Sequence, residues 1–308
     1  MHSYLTLLNK IIKYGVDSVD RTGIGTRSLF GEQLRFDLTN KFPAVTTKKL
    51  AWKSVVSELL WFIEGSTDER RLAEIHFGTR DSTKTTIWTA NANAEYWKSK
   101  ANYEGDIGRG YGFQWRHWER PAIFHKHGNP PTVDGATWIS NRDGSFLEFL
   151  PPVDQLANLI NGLKNNPNSR RHILSAWNPG ELDRMALPPC HMMAQFYTRN
   201  NELSCQVYVR SNDIFLGCPF NIASYSLLTH MIAQVCGFTA KELIICIGDA
   251  HIYNNHMQAV IEQLTRQPKE LPTLWLNPDI TDINKFSMDD CKLVGYDSYP
   301  TIKADMAV

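Results

Sequence analysis

A single thiol and a single arginine carry the first chemical signal in this chain. Cys190 stands in Leu187-Pro188-Pro189-Cys190-His191, and Arg210 in Val207-Tyr208-Val209-Arg210-Ser211-Asn212-Asp213. Two strand-like runs, 191–198 and 203–210, lie between them, joined by the polar turn Arg199-Asn200-Asn201-Glu202. A three-residue loop centred on Asn200 sets Cys190 opposite Arg210, whereas a two-residue Asn200-Asn201 loop sets it opposite Ser211. Either register brings a guanidinium near the sulfur. A fixed positive charge favours the thiolate, which is the nucleophilic form. The plain alternative is a buried structural cysteine beside a surface arginine. It leaves unexplained the two prolines that present the thiol and the polar cluster after the arginine.

Other residues could serve such a nucleophile. Glu58 sits among Val55, Leu59, Leu60 and Phe62, and a carboxylate on a buried helix face is costly unless paired or wetted. It either points outward or is a general acid/base with a raised pKa. Asp20-Arg21-Thr22-Gly23-Ile24-Gly25-Thr26 is a glycine-rich loop whose backbone N–H groups suit an anion, or a plain turn. Gly108-Arg109-Gly110-Tyr111-Gly112 sets Tyr111 and its neighbours on a glycine-rich loop of the kind that lines ligand clefts. Arg170 and Arg171 open a strand and alternate faces, so one of them reaches a neighbouring chain or both are solvated. Asn221 is a helix N-cap or an amide that reads a base edge. His251 and Tyr253 share a face if their backbone is extended.

These groups need a frame. Tyr4, Leu7, Leu8, Ile11 and Ile12 recur at helical spacing, and Gly15 stops that helix. A strand is predicted over 28–38, then helices over 51–64 and 153–165, and a strand over 172–177. After the hairpin come a helix over 222–236 stopped by Gly237, a short buried strand over 242–247, and a helix to about 263. Residues 119–152, rich in Pro and Gly, read as an insertion in one domain spanning 1–308. The pair in His125-Lys126-His127 reads as solvated surface, so no metal is assigned.

Composition excludes several classes. Thirty-two basic and thirty-two acidic residues balance, which leaves no global field for nucleic acid, RNA included, or for a membrane surface. A local arginine cluster can still bind a small anion. Residues 1–13 lack the pattern of a signal peptide, and no apolar run is long enough to span a bilayer. Cys190, Cys205, Cys218, Cys236, Cys246 and Cys291 show no zinc spacing, which suits reduced thiols in a cytoplasmic protein.

Seven segments in order together resemble the thymidylate synthase family, which also includes pyrimidine hydroxymethylases. They are Asp20-Arg21-Thr22-Gly23, Glu58-Leu59-Leu60-Trp61-Phe62, Tyr111-Gly112-Phe113-Gln114-Trp115-Arg116, Ser169-Arg170-Arg171, Leu187-Pro188-Pro189-Cys190-His191, Pro219-Phe220-Asn221-Ile222-Ala223-Ser224-Tyr225 and Gly248-Asp249-Ala250-His251-Ile252-Tyr253. The resemblance implies an α+β fold with a large mixed sheet, a homodimer across that sheet, and methylation of dUMP by 5,10-methylenetetrahydrofolate. It implies that Cys190 adds to C6 of the pyrimidine, that Arg210 tunes the thiol and holds the phosphate with Arg21 and Ser211, and that Arg170 and Arg171 reach the partner's phosphate site. Asn221 then reads uracil, His251 and Tyr253 hold the ribose, and His191 lines the nucleotide. Glu58 and Tyr111 serve the proton transfers. Asp213 meets the pterin, Ile87, Trp88, Leu187, Gly217 and Phe220 pack on the folate, Lys48 marks its tail, and Ala307-Val308 close over it.

Three positions depart from the common family pattern: Val209, Arg109-Gly110 and Thr89, with Arg109 offering an extra anion contact. A dUMP hydroxymethylase is the nearest rival, and a non-catalytic dimer that binds nucleotides or its own message is a more distant one. Cys190, Glu58, Tyr111 and Asn221 together speak against the latter, since binding alone does not need the thiol.

Overall fold

A computed structural model describes residues 1–19, 23–126 and 134–305. The chain opens with α1 (His2–Tyr14), β1 (Val16–Ser18) and β2 (Thr26–Asp37), followed by α2 (Trp52–Glu64) and α3 (Glu69–Phe77). The short helices α4 (Thr89–Ala92), α5 (Glu95–Lys98) and α6 (Tyr111–Arg116) lead to three strands, β3 (Ile123–His125), β4 (Thr137–Ser140) and β5 (Phe146–Phe149). Then come α7 (Gln155–Asn165), β6 (Ile173–Ser175), β7 (His191–Arg199), β8 (Glu202–Asp213), α8 (Gly217–Cys236) and β9 (Thr239–Tyr253). The last elements are α9 (Met257–Thr265), β10 (Thr273–Leu276) and β11 (Cys291–Val294).

The fold is α+β, as expected. Its centre is a six-stranded sheet in the order β1-β2-β9-β8-β7-β6. Every pairing is antiparallel except β8 with β9, which run parallel because α8 makes the crossover between them. Strand alternation gives the sheet one apolar face. Leu34, Phe36, Leu203, Cys205, Val207, Leu243 and Ile245 are buried there. Helix α1 packs on β2, α8 packs on β8 and β9, and α2 packs on α8 in turn. The stripe Tyr4, Leu7, Leu8 and Ile11 that predicted α1 is its buried side, and Gly15 follows its last residue. The opposite sheet face is uncovered: the cross-strand neighbours Met193 and Tyr208 are each 39% exposed, and Tyr197 is 55% exposed.

Three expectations change. Helix α8 starts at Gly217, five residues before the predicted 222, so Asn221 lies inside it and is not its N-cap. Pro219 reads as a helix breaker in sequence, but the first turn needs no intrahelical N–H donor and so admits it. Strand β9 runs 15 residues to Tyr253, past the predicted stop at Gly248. Its neighbours continue beyond that glycine: Asp249 pairs with Phe30 on one side and Ser211 on the other. The segment 119–152, read as an insertion, carries β3, β5 and β4 as a small separate sheet. There the His125 Nε2 lies 2.8 Å from the buried Glu148 carboxylate, and the ring stacks on Phe146 with centroids 4.5 Å apart. His125 is thus paired, not simply solvated, while His127 lies outside the described residues.

Candidate active site

The β7–β8 hairpin turns on two residues, Asn200 and Asn201, with φ of 51° and 61°. Positive φ at both central positions gives the twist that a two-residue hairpin requires, and Asn tolerates it. From Arg199 opposite Glu202, the ladder keeps register to Met193 opposite Tyr208. It then slips by one residue, so that His191 faces Val209. Met192 is the extra residue, and its carbonyl accepts the Ala176 N–H at 2.8 Å. Cys190 therefore meets Arg210, whose backbone N–H donates to the Cys190 carbonyl at 2.8 Å. The loop is the two-residue alternative and the Cys–Arg pairing is the three-residue one; the bulge reconciles them.

The Arg210 side chain clamps this corner. Its Nε donates to Pro189 O and its Nη2 to Pro188 O, both at 2.9 Å, and Nη2 is 3.8 Å from the Cys190 Sγ. The guanidinium also lies 5.5 Å from the centroid of Trp177, a contact that no local spacing announces. These bonds brace the hairpin, and Val209, one of the departures from the family pattern, is fully buried beside them. Burial raises the thiol pKa; Arg210 and Tyr111 pull it down without overcoming that effect. Burial thus opposes the thiolate that the arginine favours.

Tyr111 joins the nucleophile to the carboxylate helix. Its hydroxyl oxygen accepts the Cys190 backbone N–H at 2.7 Å, and its ring stacks on Phe62 at 4.9 Å. The next residue must be glycine, because a Cβ on Gly112 would fall 2.4 Å from the Phe62 carbonyl oxygen. Thus α6 lies against the last turn of α2, and the same helix carries Glu58. Its Oε1 accepts the indole N–H of Trp88 at 2.7 Å. Burial pushes the Glu58 carboxyl up to about 7, against the opposing effect of that hydrogen bond. Glu58 thus points inward, and a carboxyl poised near neutrality can both give and take a proton. His191 lies 4.1 Å from Tyr111, ring to ring, and its Nδ1 is 2.8 Å from the Tyr225 hydroxyl. Desolvation lowers the imidazole to about 3, so His191 is neutral.

Parallel pairing sets the second wall. Ser211 pairs with Asp249 and Asp213 with His251, so the ends of β8 and β9 present their polar residues together. His251 and Tyr253 do share a face, with ring centroids 5.1 Å apart. Asp249 Oδ1, which sequence reading passed over, lies 3.5 Å from His251 Nδ1. Asp213 Oδ1 accepts the N–H groups of Phe215 and Leu216 at 2.9 and 3.1 Å, so one oxygen is already committed. Asn221, half-buried in the first turns of α8, makes no side-chain hydrogen bond among the described residues, which leaves its amide available.

The remaining expectations divide. Ile87 is exposed, and Leu187, Gly217 and Phe220 are partly buried. Lys48 is buried, donating to Phe215 O at 2.5 Å with its ammonium 3.6 Å from that ring centroid, and desolvation lowers it to about 8. It would have to leave Phe215 to meet an acidic tail. Arg109 is not a spare anion contact. Its Nη1 donates to Glu181 Oε1 at 2.5 Å, and the buried Gln114 amide holds the other oxygen of Glu181 at 2.7 Å. Arg170 and Arg171 are exposed, and neither side chain has a hydrogen bond or ion pair among the described residues. Arg21, Ala307 and Val308 lie outside the described residues. Among the described residues no group of three or more His, Cys, Asp or Glu could hold a metal ion, and no helix is long and apolar enough to cross a membrane.

The corner thus brings together a thiol, a guanidinium and a phenol, with a near-neutral carboxyl on the helix against which the phenol ring packs. The family model described as Thymidylate synthase matches residues 2–308. A curated relative, the bifunctional dihydrofolate reductase-thymidylate synthase of Zea mays, is 48% identical over 313 residues, which cover 100% of this chain and 54% of that protein. The chain therefore spans about half the length of that relative.

Proposed function

Because the chain belongs to the thymidylate synthase family, we propose that it converts dUMP to dTMP, with 5,10-methylenetetrahydrofolate as the donor of one carbon and a hydride. The observation that carries this reading is the corner where Tyr111 bonds the Cys190 backbone, Arg210 reaches its sulfur, and Glu58 stands on the helix beneath. Cys190 attacks C6 of the uracil as a thiolate, which makes C5 nucleophilic. Its thiol must lose a proton first. That proton passes to solvent, and the Arg210 guanidinium stabilises the thiolate left behind. Asn221 offers a donor and an acceptor to the uracil edge, matching its O4 and N3–H. Ser211 and Arg210 hold the phosphate, and His251 and Tyr253 the ribose. His191, neutral and fixed by Tyr225, borders the base.

Glu58 moves the protons. Near pH 7 its carboxyl can protonate the folate nitrogen as the methylene bridge opens, then take the C5 proton through water. Tyr111 assists from the Cys190 side. The folate supplies the methylene and the hydride. Trp88, Ile87, Leu187, Gly217 and Phe220 form its contact surface, and Asp213 has one carboxylate oxygen left for the pterin.

The exposed guanidinia of Arg170 and Arg171 and the uncovered, aromatic-bearing sheet face support a homodimer in which those arginines complete the partner's phosphate site. Six free cysteines suit a reducing compartment such as the cytoplasm. Incubation with dUMP and 5,10-methylenetetrahydrofolate decides the reaction. A methylated nucleotide with the absorbance of dihydrofolate supports the synthase. A hydroxymethyl product without that absorbance refutes it in favour of the hydroxymethylase. Cys190→Ala should retain dUMP binding and lose turnover.

A further inference from the structure

Glu69 is the first residue of α3 and is 1% exposed. A buried carboxylate is costly unless every lone pair has a partner. Here they do. Arg70 donates from Nε to Oε2 and from Nη2 to Oε1, each at 2.6 Å, and the hydroxyls of Thr86 and Thr89 donate to Oε1, each at 2.6 Å. The hydroxyl oxygens then hold backbone: Thr89 Oγ1 accepts the Thr86 N–H at 2.8 Å, and Thr86 Oγ1 accepts the Trp88 N–H at 3.2 Å. Arg70 Nη1 gathers the preceding segment by donating to Asp81 O and Lys84 O at 2.8 and 3.0 Å. One carboxylate thus ties down the turn from which Trp88 projects.

What that turn delivers is the indole N–H on Glu58, 2.7 Å away. The rings of Trp61, Phe62 and Tyr111 surround Trp88 at 5.9, 6.5 and 5.7 Å and set how deeply the indole sits. Ring packing tolerates sliding, whereas a hydrogen bond of this length does not survive a shift of about 1 Å. We propose that Glu69 is a positioning residue which, through Thr86 and Thr89, holds the Trp88 loop so that its indole N–H stays on Glu58. This rests on the reading of Glu58 as the proton-transfer group. The other ionisable groups facing Glu58 are Tyr111 and, beyond it, Cys190; those facing Glu69 are Arg70 and Asp68, the latter capping Arg70 N and pairing with Arg80. Of these, Arg70 also reaches the turn, its Nη2 donating to Thr89 Oγ1 at 3.4 Å, a longer bond than the two that Glu69 accepts.

The test follows the indole itself. Protein carrying ¹⁵N-labelled tryptophan gives an indole resonance for Trp88, identified by its loss in Trp88→Phe. Thr89→Val removes one hydroxyl at constant shape, Thr89→Ser restores it, and Glu69→Gln weakens the acceptor. We expect Thr89→Val and Glu69→Gln to shift that resonance and to speed its exchange with solvent about tenfold, while Thr89→Ser matches the parent. kcat should fall about tenfold in the same two variants, with KM for dUMP little changed, and the pH limb of kcat should move with it. If both variants keep the parent's circular dichroism and also its Trp88 resonance and exchange rate, the clamp is refuted. If the parent makes no dTMP, the reaction assignment fails, while the resonance comparison still decides the clamp.

Discussion

The Sγ of Cys190 and the Nη2 of Arg210 lie 3.8 Å apart because β7 carries one residue more than β8 can match, Met192. Deleting Met192 should remove the bulge and its bend while leaving His191 opposite Val209 and Cys190 opposite Arg210 in an unbroken ladder from the Asn200-Asn201 turn, so that the thiol is re-aimed without a change of partner. Turnover should drop by roughly hundredfold or more, the usual effect of misplacing a reacting group by about an ångström, with the far-ultraviolet circular dichroism preserved. A deletion variant with near-normal turnover would show that the bulge does not set the site.

Glu58 gives a pH-dependent prediction for stability. Its folded pKa of about 7 lies above the ordinary 4.5. Between those values the folded state binds more protons than the unfolded one, so stability falls as pH rises through this window and the penalty is complete above about pH 7. Replacing Glu58 by Gln should therefore stabilise the protein by about 1–3 kcal/mol at pH 8 and much less at pH 5, while removing most activity. Thermal melts of both proteins at the two pH values check the sign.

Arg210 and burial act on the Cys190 thiol in opposite directions, with burial the larger. In the ligand-free protein, iodoacetamide should label Cys190 slowly at pH 7 and faster as pH rises past the ordinary thiol range. Arg210→Met should push that profile to still higher pH. A profile unchanged in Arg210→Met would mean that the guanidinium serves only phosphate and the two proline carbonyls.

The turn between β7 and β8 needs left-handed backbone at both central residues. Asn201→Ala should cost about 1–2 kcal/mol, and Asn201→Gly a few tenths at most. Denaturant unfolding of each variant distinguishes them. Equal stability for Ala and Gly would contradict a strained turn.

Much of this was readable from residue order. Helices α1 and α2 announce themselves by spacing, since one-sided burial writes a period into the sequence. The Cys190 and Arg210 pairing was readable up to a choice of two registers, because a bulge at Met192 has no local signature. The start of α8 and the length of β9 were misjudged at Pro219 and Gly248, where local punctuation gave way to neighbouring strands and a tolerant first turn. The commitment of Arg109 to Glu181, 72 positions away, and of Glu69 to the Trp88 turn depend on tertiary approach, which spacing does not encode. His125 looked like solvent-facing charge because its partner, Glu148, comes from a different strand.

The antiparallel pairing of β2 with β9 joins early and late parts of the chain: Arg35 and Glu242, which close an ion pair across it, are 207 positions apart. Until β9 is made, β2 has no partner on that side and β8 lacks its parallel neighbour. Both strand edges stay open during synthesis, and so long a closure is slow. Ser211 and Asp213 gain their companions Asp249 and His251 only at that step. The reactive corner is therefore among the last parts of the molecule to mature, and catalysis reports that the whole sheet has closed.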